Sequence, residues 1–237
     1  MLYNDDCLKV LPTLPDNSVD LVLTDPPYGT TACKWDSVIP FEPMWKELKR
    51  IIKENSAIAL FGSEPFSSHL RLSNLDFFKY DWIWHKSKCG SPLTAKYKPL
   101  TKHEIISVFG KRIKYNPQFT KGKPYKRNCK MGDINNHKFG LKNINVDNKG
   151  TRFPISIIEF NQKWRRQDQV HPTQKPIELM EYLIKTYTNE KDTVLDFTMG
   201  SGSTGVACKK LKRNFIGIEM EKNYFDIAKN RIEGTLI

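Results

Sequence analysis

Apolar positions along this chain follow two periods in turn, and the changes of period mark out strands and helices. The run Val19-Asp20-Leu21-Val22-Leu23 is short and mostly apolar, which predicts a buried strand. Phe41, Met44, Trp45, Leu48, Ile51 and Ile52 recur at helical spacing and share one face, so they predict a core-facing helix. Residues 56–61 predict a second buried strand. Gly62-Ser63-Glu64-Pro65 then breaks it and opens a helix, with Ser63 or Glu64 near its cap. The aromatic-rich span 77–84 and the span 105–109, stopped by Gly110, predict two more strands, and 156–160 another. Ile177, Met180, Leu183, Ile184 and Tyr187 form the inner stripe of a later helix. Val194-Leu195 and residues 214–218 complete the strands. Strands alternating with helices predict an α/β fold on a doubly wound, mostly parallel sheet.

One stretch breaks the pattern. From Lys111 to Thr151 no period holds, and Lys, Asn, Gly and Tyr dominate, with Pro117 and Pro124. That is too long for an ordinary connection, which suggests a functional or mobile segment. Charge sharpens the point. The 237 residues carry a net charge of +12, and residues 86–170 hold 20 Lys or Arg against 5 Asp or Glu, whereas the rest of the chain has 18 against 21. A basic block of this kind is the electrostatic footprint expected for a polyanion. Its best-placed cations are Lys121, Lys123, Lys126 and Arg127, with Arg165 and Arg166 beside Trp164. The five cysteines are scattered and lack Cys-x-x-Cys spacing, so neither a zinc site nor a disulfide framework is indicated, and no metal is expected. No apolar stretch is long enough to span a membrane, and the first residues lack a signal-peptide pattern, so an intracellular protein is expected. The length suits one α/β domain over 1–237, with 86–170 as a basic insertion.

Candidate chemistry sits at strand ends. Asp25, Pro26, Pro27 and Tyr28 follow the first buried strand, at the carboxyl edge where open α/β sheets bind ligands. The two prolines donate no backbone hydrogen bonds and hold the chain extended, which leaves their carbonyls free to accept. With the Asp25 carboxylate and the Tyr28 ring, they suit a flat base bearing an exocyclic amino group. Near the other end, Gly200, Gly202 and Gly205 make a Gly-x-Gly-x-x-Gly turn after a strand, and Thr204 can open the helix behind it. Glu219 ends the next strand, well placed for ribose hydroxyls. Taken alone, this half also fits a NAD-dependent dehydrogenase.

The combination narrows the choice. Asp25-Pro26-Pro27-Tyr28, Asp196-Phe197-Thr198-Met199-Gly200-Ser201-Gly202-Ser203-Thr204, His171-Pro172-Thr173-Gln174-Lys175-Pro176 and Tyr3-Asn4-Asp5-Asp6-Cys7 together resemble the amino-group DNA methyltransferases. The order, with the catalytic motif first, the basic segment second and the cofactor motif last, resembles their circularly permuted beta class. The resemblance implies a Rossmann-like domain that uses S-adenosylmethionine, and an inserted target-recognition segment. It implies catalysis by Asp25, Pro26, Pro27 and Tyr28. It implies a cofactor site drawn from Asp6, Cys7, Asp25, Thr173, Lys175, Asp196, Phe197, Met199, Gly200, Gly202, Thr204 and Glu219. In that site Thr173 or Lys175 would meet the methionine carboxylate, and Gly200 and Gly202 would let the loop close over the cofactor. Adenine N6 in double-stranded DNA is the expected target. Cytosine N4, an RNA target and a catalytically silent DNA-binding module are the alternatives. A homodimer, a cognate restriction endonuclease and a cytoplasmic setting of bacterial, phage or mobile-element origin are further expectations.

Overall fold

A computed structural model of the chain describes residues 1–30, 36–90, 92–129, 144–161 and 174–236. In chain order the regular elements are β1 (Leu2–Tyr3), α1 (Cys7–Val10), β2 (Val19–Thr24), α2 (Phe41–Ile51), β3 (Ile52–Gly62), α3 (Phe66–Leu72), β4 (Phe78–Lys86) and β5 (His103–Phe109). Then come β6 (Thr120–Lys121), β7 (Tyr125–Cys129), β8 (Ile144–Asn148), β9 (Thr151–Arg152) and β10 (Ile157–Phe160). Last are α4 (Ile177–Tyr187), β11 (Thr193–Asp196), α5 (Ser203–Lys210), β12 (Asn214–Ile218) and α6 (Lys222–Glu233).

Eight strands form one sheet in the order β1-β12-β11-β2-β3-β5-β4-β10. Every neighbouring pair is parallel except the two that involve β5, which runs antiparallel to both β3 and β4. Alternation along the central strands feeds two cores. Ile58 and Leu60 of β3 join Met44, Trp45, Leu48 and Ile51 of α2 and Phe66 and Leu70 of α3 on one face. Ala57, Ala59 and Phe61 join Leu179, Met180, Leu183 and Ile184 of α4 and Ala207 and Cys208 of α5 on the other. With both faces covered, β2 is buried along its whole length, as expected of a central parallel strand. The doubly wound, mostly parallel reading of the sequence stands.

Two local readings need adjustment. Ile52 does not extend the α2 stripe, because the chain turns extended at that residue and β3 begins there. At the start of α3 it is Glu64, not Ser63, that serves the first turn. Its carboxylate accepts from the Ser68 amide at 3.1 Å and the Ser68 hydroxyl at 2.7 Å. Among the described residues no helix is long and apolar enough to cross a membrane.

The chain divides into two units, one formed by 1–116 with 156–237 and the other by 117–155. The smaller unit holds two short antiparallel pairs, β6 with β9 and β7 with β8. Within it Phe119 packs on Phe153 with ring centroids 4.8 Å apart, and the Arg152 guanidinium lies over Tyr125 at 4.7 Å. The flanks of the 86–170 segment belong to the large sheet, since they supply β5 and β10.

Candidate active site

Because β2, β11 and β12 are parallel neighbours, their carboxyl ends open on the same edge. A cavity of about 320 Å³ lies there. It brings together Asp25, Pro26, Pro27 and Tyr28 after β2, Phe197 to Ser201 after β11, Glu219 after β12, and Asp6 and Cys7 after β1. The size falls within the range of small-molecule sites, roughly 300–1,000 Å³.

A hydroxyl–carboxylate lock joins the two main motifs. Asp196, at the end of β11, accepts from the hydroxyl of Thr24 at the end of β2, from Thr204 at 2.6 Å and from the Thr198 amide at 3.3 Å. Thr198 also donates its hydroxyl to the Asp25 carbonyl at 3.1 Å. Thus residues more than 170 positions apart in sequence are held in register. Burial pushes the Asp196 carboxyl up to about 6, against the hydroxyls that stabilise its charge.

Asp25 is held from both sides. Its Oδ1 accepts from the Tyr28 hydroxyl, and its Oδ2 accepts from Lys175 Nζ at 2.6 Å. Two oxygens offer about four acceptor positions, so acceptor capacity remains for a substrate amino group. Burial raises the Asp25 carboxyl above the usual range. The Lys175 cation opposes that rise and Glu104 adds to it. Burial, with the nearby Asp25 charge, keeps the Tyr28 hydroxyl neutral and a donor. One face of the Tyr28 ring stacks on Phe66, with centroids 5.0 Å apart and planes at 28°, so a base stacked on Tyr28 would take the other face.

Lys175 lines the cavity from the Asp25 side. Its side chain is only 8% exposed, and its ammonium lies between Asp25 and Glu104 Oε2 (3.1 Å) and above the Phe61 ring at 5.1 Å. Glu104 and its second partner Lys86, at 3.0 Å, were not singled out in the sequence. The one signal was a charged residue just ahead of the apolar run 105–109.

On the cofactor side the Glu219 carboxylate accepts from the Gly200 amide at 2.9 Å and the Glu221 amide at 2.8 Å. Its remaining lone pairs can take hydroxyl donors. Asp6 caps α1 through the Leu8 amide at 2.8 Å. Phe197 and Met199 are buried in the wall, and Thr204 lines the cavity as well. Burial, helped by the Asp6 charge, pushes the Cys7 thiol up to about 12, so it is not a nucleophile at neutral pH. Gly200 lines the cavity with φ +50°, but Gly202 is not part of the lining. Gly202 has φ +79°, and a Cβ on it would stand 2.9 Å from the Ala228 Cβ of α6. Its close approach within the protein is to α6. Thr173, His171, Arg165 and Arg166 lie outside the described residues. In the small unit Lys121, Lys123, Lys126 and Arg127 are all exposed.

A family model described as DNA methylase, for N6 and N4 methylation, matches residues 19–230. The chain is 31% identical to the type II methyltransferase M.HpaI of Haemophilus parainfluenzae over 98% of its own length and 74% of that protein's. It is 30% identical to the type II methyltransferase M.HinfI of Haemophilus influenzae, over 98% and 67%. A crystal structure of an M1.HpyAVI–SAM complex superposes with a TM-score of 0.65 at 28% identity, covering 98% of each chain. With most of its length matched by that family model, the chain belongs to the N6/N4 DNA methylase family.

Proposed function

We propose that the chain transfers a methyl group from S-adenosylmethionine to the N6 amino group of adenine in double-stranded DNA. One observation carries this reading. The Asp25–Tyr28 motif and the Gly200–Glu219 turn line a single cavity and are tied together through Asp196. The residues fit the cofactor, since the cavity offers an anionic pair for hydroxyls at Glu219, apolar walls at Phe197 and Met199, and room for a small molecule.

When bound, S-adenosylmethionine supplies a methyl group on a positively charged sulfur. The chain's residues do the rest. Tyr28 receives the target base, which must leave the duplex because its amino group is otherwise paired. The Asp25 carboxylate and the Pro26 carbonyl accept hydrogen bonds from the two amino N–H groups. Those bonds favour a pyramidal nitrogen whose lone pair points at the methyl group. Phe66 backs the Tyr28 ring and Lys175 steadies Asp25, so most of the gain comes from orientation and fixed charges. Lys121, Lys123, Lys126 and Arg127 are proposed as phosphate contacts. The type II designation of relatives supports a cognate restriction endonuclease as the partner activity, and a homodimer can be tested by light scattering.

Cytosine N4 is the competing target, because both bases present an amino group next to a ring nitrogen. Asp at the head of the motif favours adenine by resemblance to the family. Nucleoside mass spectrometry of DNA from expressing cells is the test. N6-methyladenine is expected, and N4-methylcytosine as the main product would overturn the base assignment.

A further inference from the structure

The antiparallel strand β5 brings an acid to the catalytic edge. Because β5 runs against its neighbours, its first residues, not its last, lie level with the carboxyl ends of the parallel strands. Glu104 is the second residue of β5 and pairs across with Trp84 of β4. From there a part-buried charge row runs inward. Lys86 Nζ sits 3.0 Å from Glu104 Oε1, Lys175 Nζ sits 3.1 Å from Glu104 Oε2, and the same Nζ sits 2.6 Å from Asp25 Oδ2. The shares are unequal. Lys175 makes an aligned hydrogen bond to Asp25, whereas its contact with Glu104 is a charge contact that leaves Glu104 Oε2 without a hydrogen bond.

We propose that Glu104 is a positioning residue for the reaction: by drawing on Lys175 it keeps Asp25 from being fully neutralised, and so keeps Asp25 a strong acceptor for the target amino group. This rests on the reading of Asp25 as the amino-group acceptor. Two lysines alternate with two carboxylates, so the row is balanced overall, yet each carboxylate is only partly compensated. Without Lys175 a buried carboxylate would favour protonation and lose its acceptor capacity. With Lys175 devoted to it alone, Asp25 would be charged but weakly basic, a poorer partner for a developing positive charge. Glu104 holds the cation between these extremes, and Lys86 limits how far Glu104 draws it. Among the described residues, the other charged or titratable groups acting on Asp25 and Tyr28 are each other, Asp196 from β11, and Asp36, which binds the Gly29 and Thr30 amides at 2.9 Å.

The network makes opposed predictions for its two outer members. Glu104→Gln removes a like charge and releases Lys175 to Asp25, so the Asp25 carboxyl should titrate lower by about half a pH unit or more. Lys86→Met leaves Glu104 uncompensated, so Asp25 should titrate higher by a similar amount. Carbon-detected NMR of carboxyl-labelled protein reads both shifts without DNA or cofactor. In single-turnover methylation, the acid limb of the rate profile should move the same two ways. Glu104→Gln should also lose several-fold in plateau rate, with cofactor affinity within about twofold. Unmoved midpoints, or shifts of the same sign in both variants, would overturn the proposal. If Glu104→Gln does not fold, the sign of the Lys86→Met shift decides. A wild-type protein that does not methylate DNA would instead count against the function, and the carboxyl titration would stand apart from it.

Discussion

Gly202→Ala should destabilise the protein through α6, and the structure separates two causes. The first is backbone conformation. At φ +79° an L-residue is strained, which costs about 1–2 kcal/mol. The second is space. The added Cβ would lie 2.9 Å from the Ala228 Cβ, 3.1 Å from the Ala228 Cα and 3.1 Å from Ile232 Cδ1. Carbon atoms pack best at roughly 3.5–4.0 Å, so helix and turn must separate, at about 1–3 kcal/mol. The total is roughly 2–5 kcal/mol. A double-mutant cycle with Ala228→Gly isolates the steric part. Ala228→Gly alone weakens α6 by about 1 kcal/mol. Against that background Gly202→Ala should cost less, because its nearest clash is gone and Ile232 can rotate away. A coupling of about 1–2 kcal/mol is expected from urea midpoints at constant slope. Zero coupling would refute the steric account and leave only the strain of the turn.

Three further outcomes follow from the site. Asp25→Ala should lower single-turnover methyl transfer by roughly 10²–10³ while leaving cofactor affinity, measured by calorimetry, within a few fold; near-normal turnover would remove Asp25 from its role. Asp196 titrates at about 6 when folded, above its ordinary value of 3.8. The folded state therefore holds the extra proton, and this group's contribution to stability falls as pH rises from about 4 to about 6. Asp196→Asn should remove that fall, so the difference in urea stability between variant and wild type should change in the variant's favour by about 1–3 kcal/mol across the window. A constant difference would deny the buried titration. Neutralising Lys121, Lys123, Lys126 and Arg127 together should reduce the slope of log affinity against log salt by up to about 3–4 in DNA-binding anisotropy, and an unchanged slope would exclude these cations from phosphate contact.

What the sequence made legible was whatever one face of burial writes into a short window. The α2 and α4 stripes and the runs of β2, β3 and β12 are visible because each must hide apolar side chains from water. The Asp25 and Gly200 motifs were visible because their chemistry needs unusual residue types in fixed spacing. Strand direction leaves no such trace. The residues at 105–109 would read the same in either orientation: the family resemblance implied an antiparallel strand near the end of the sheet, but the sequence alone did not show that β5 is that strand or that it brings Glu104 beside Lys175. Lys175 itself was noticed from its motif, but its contacts with Asp25 and Glu104 carry no signal in the sequence. The strands β6 and β7 escaped because residues 121–127 are all exposed. A strand that buries neither face carries no alternation.

The position of each strand in the sheet also sets an order in which the site comes apart. β2 lies between β11 and β3 with both faces covered, whereas β1 is a two-residue strand at the sheet edge, paired only to β12. Backbone openings of low free energy begin at such edges, and interior strands exchange their amides only near global unfolding. Asp25 follows the interior strand, while Asp6 and Cys7 follow the edge strand. On warming, the wall that carries Asp6 should therefore loosen first, with amide protection at Tyr3 fading well before that at Leu23. On the roles proposed for Asp6 and Asp25, affinity for the small molecule would decline while Asp25 is still in place, and the methyl donor would be lost before the fold.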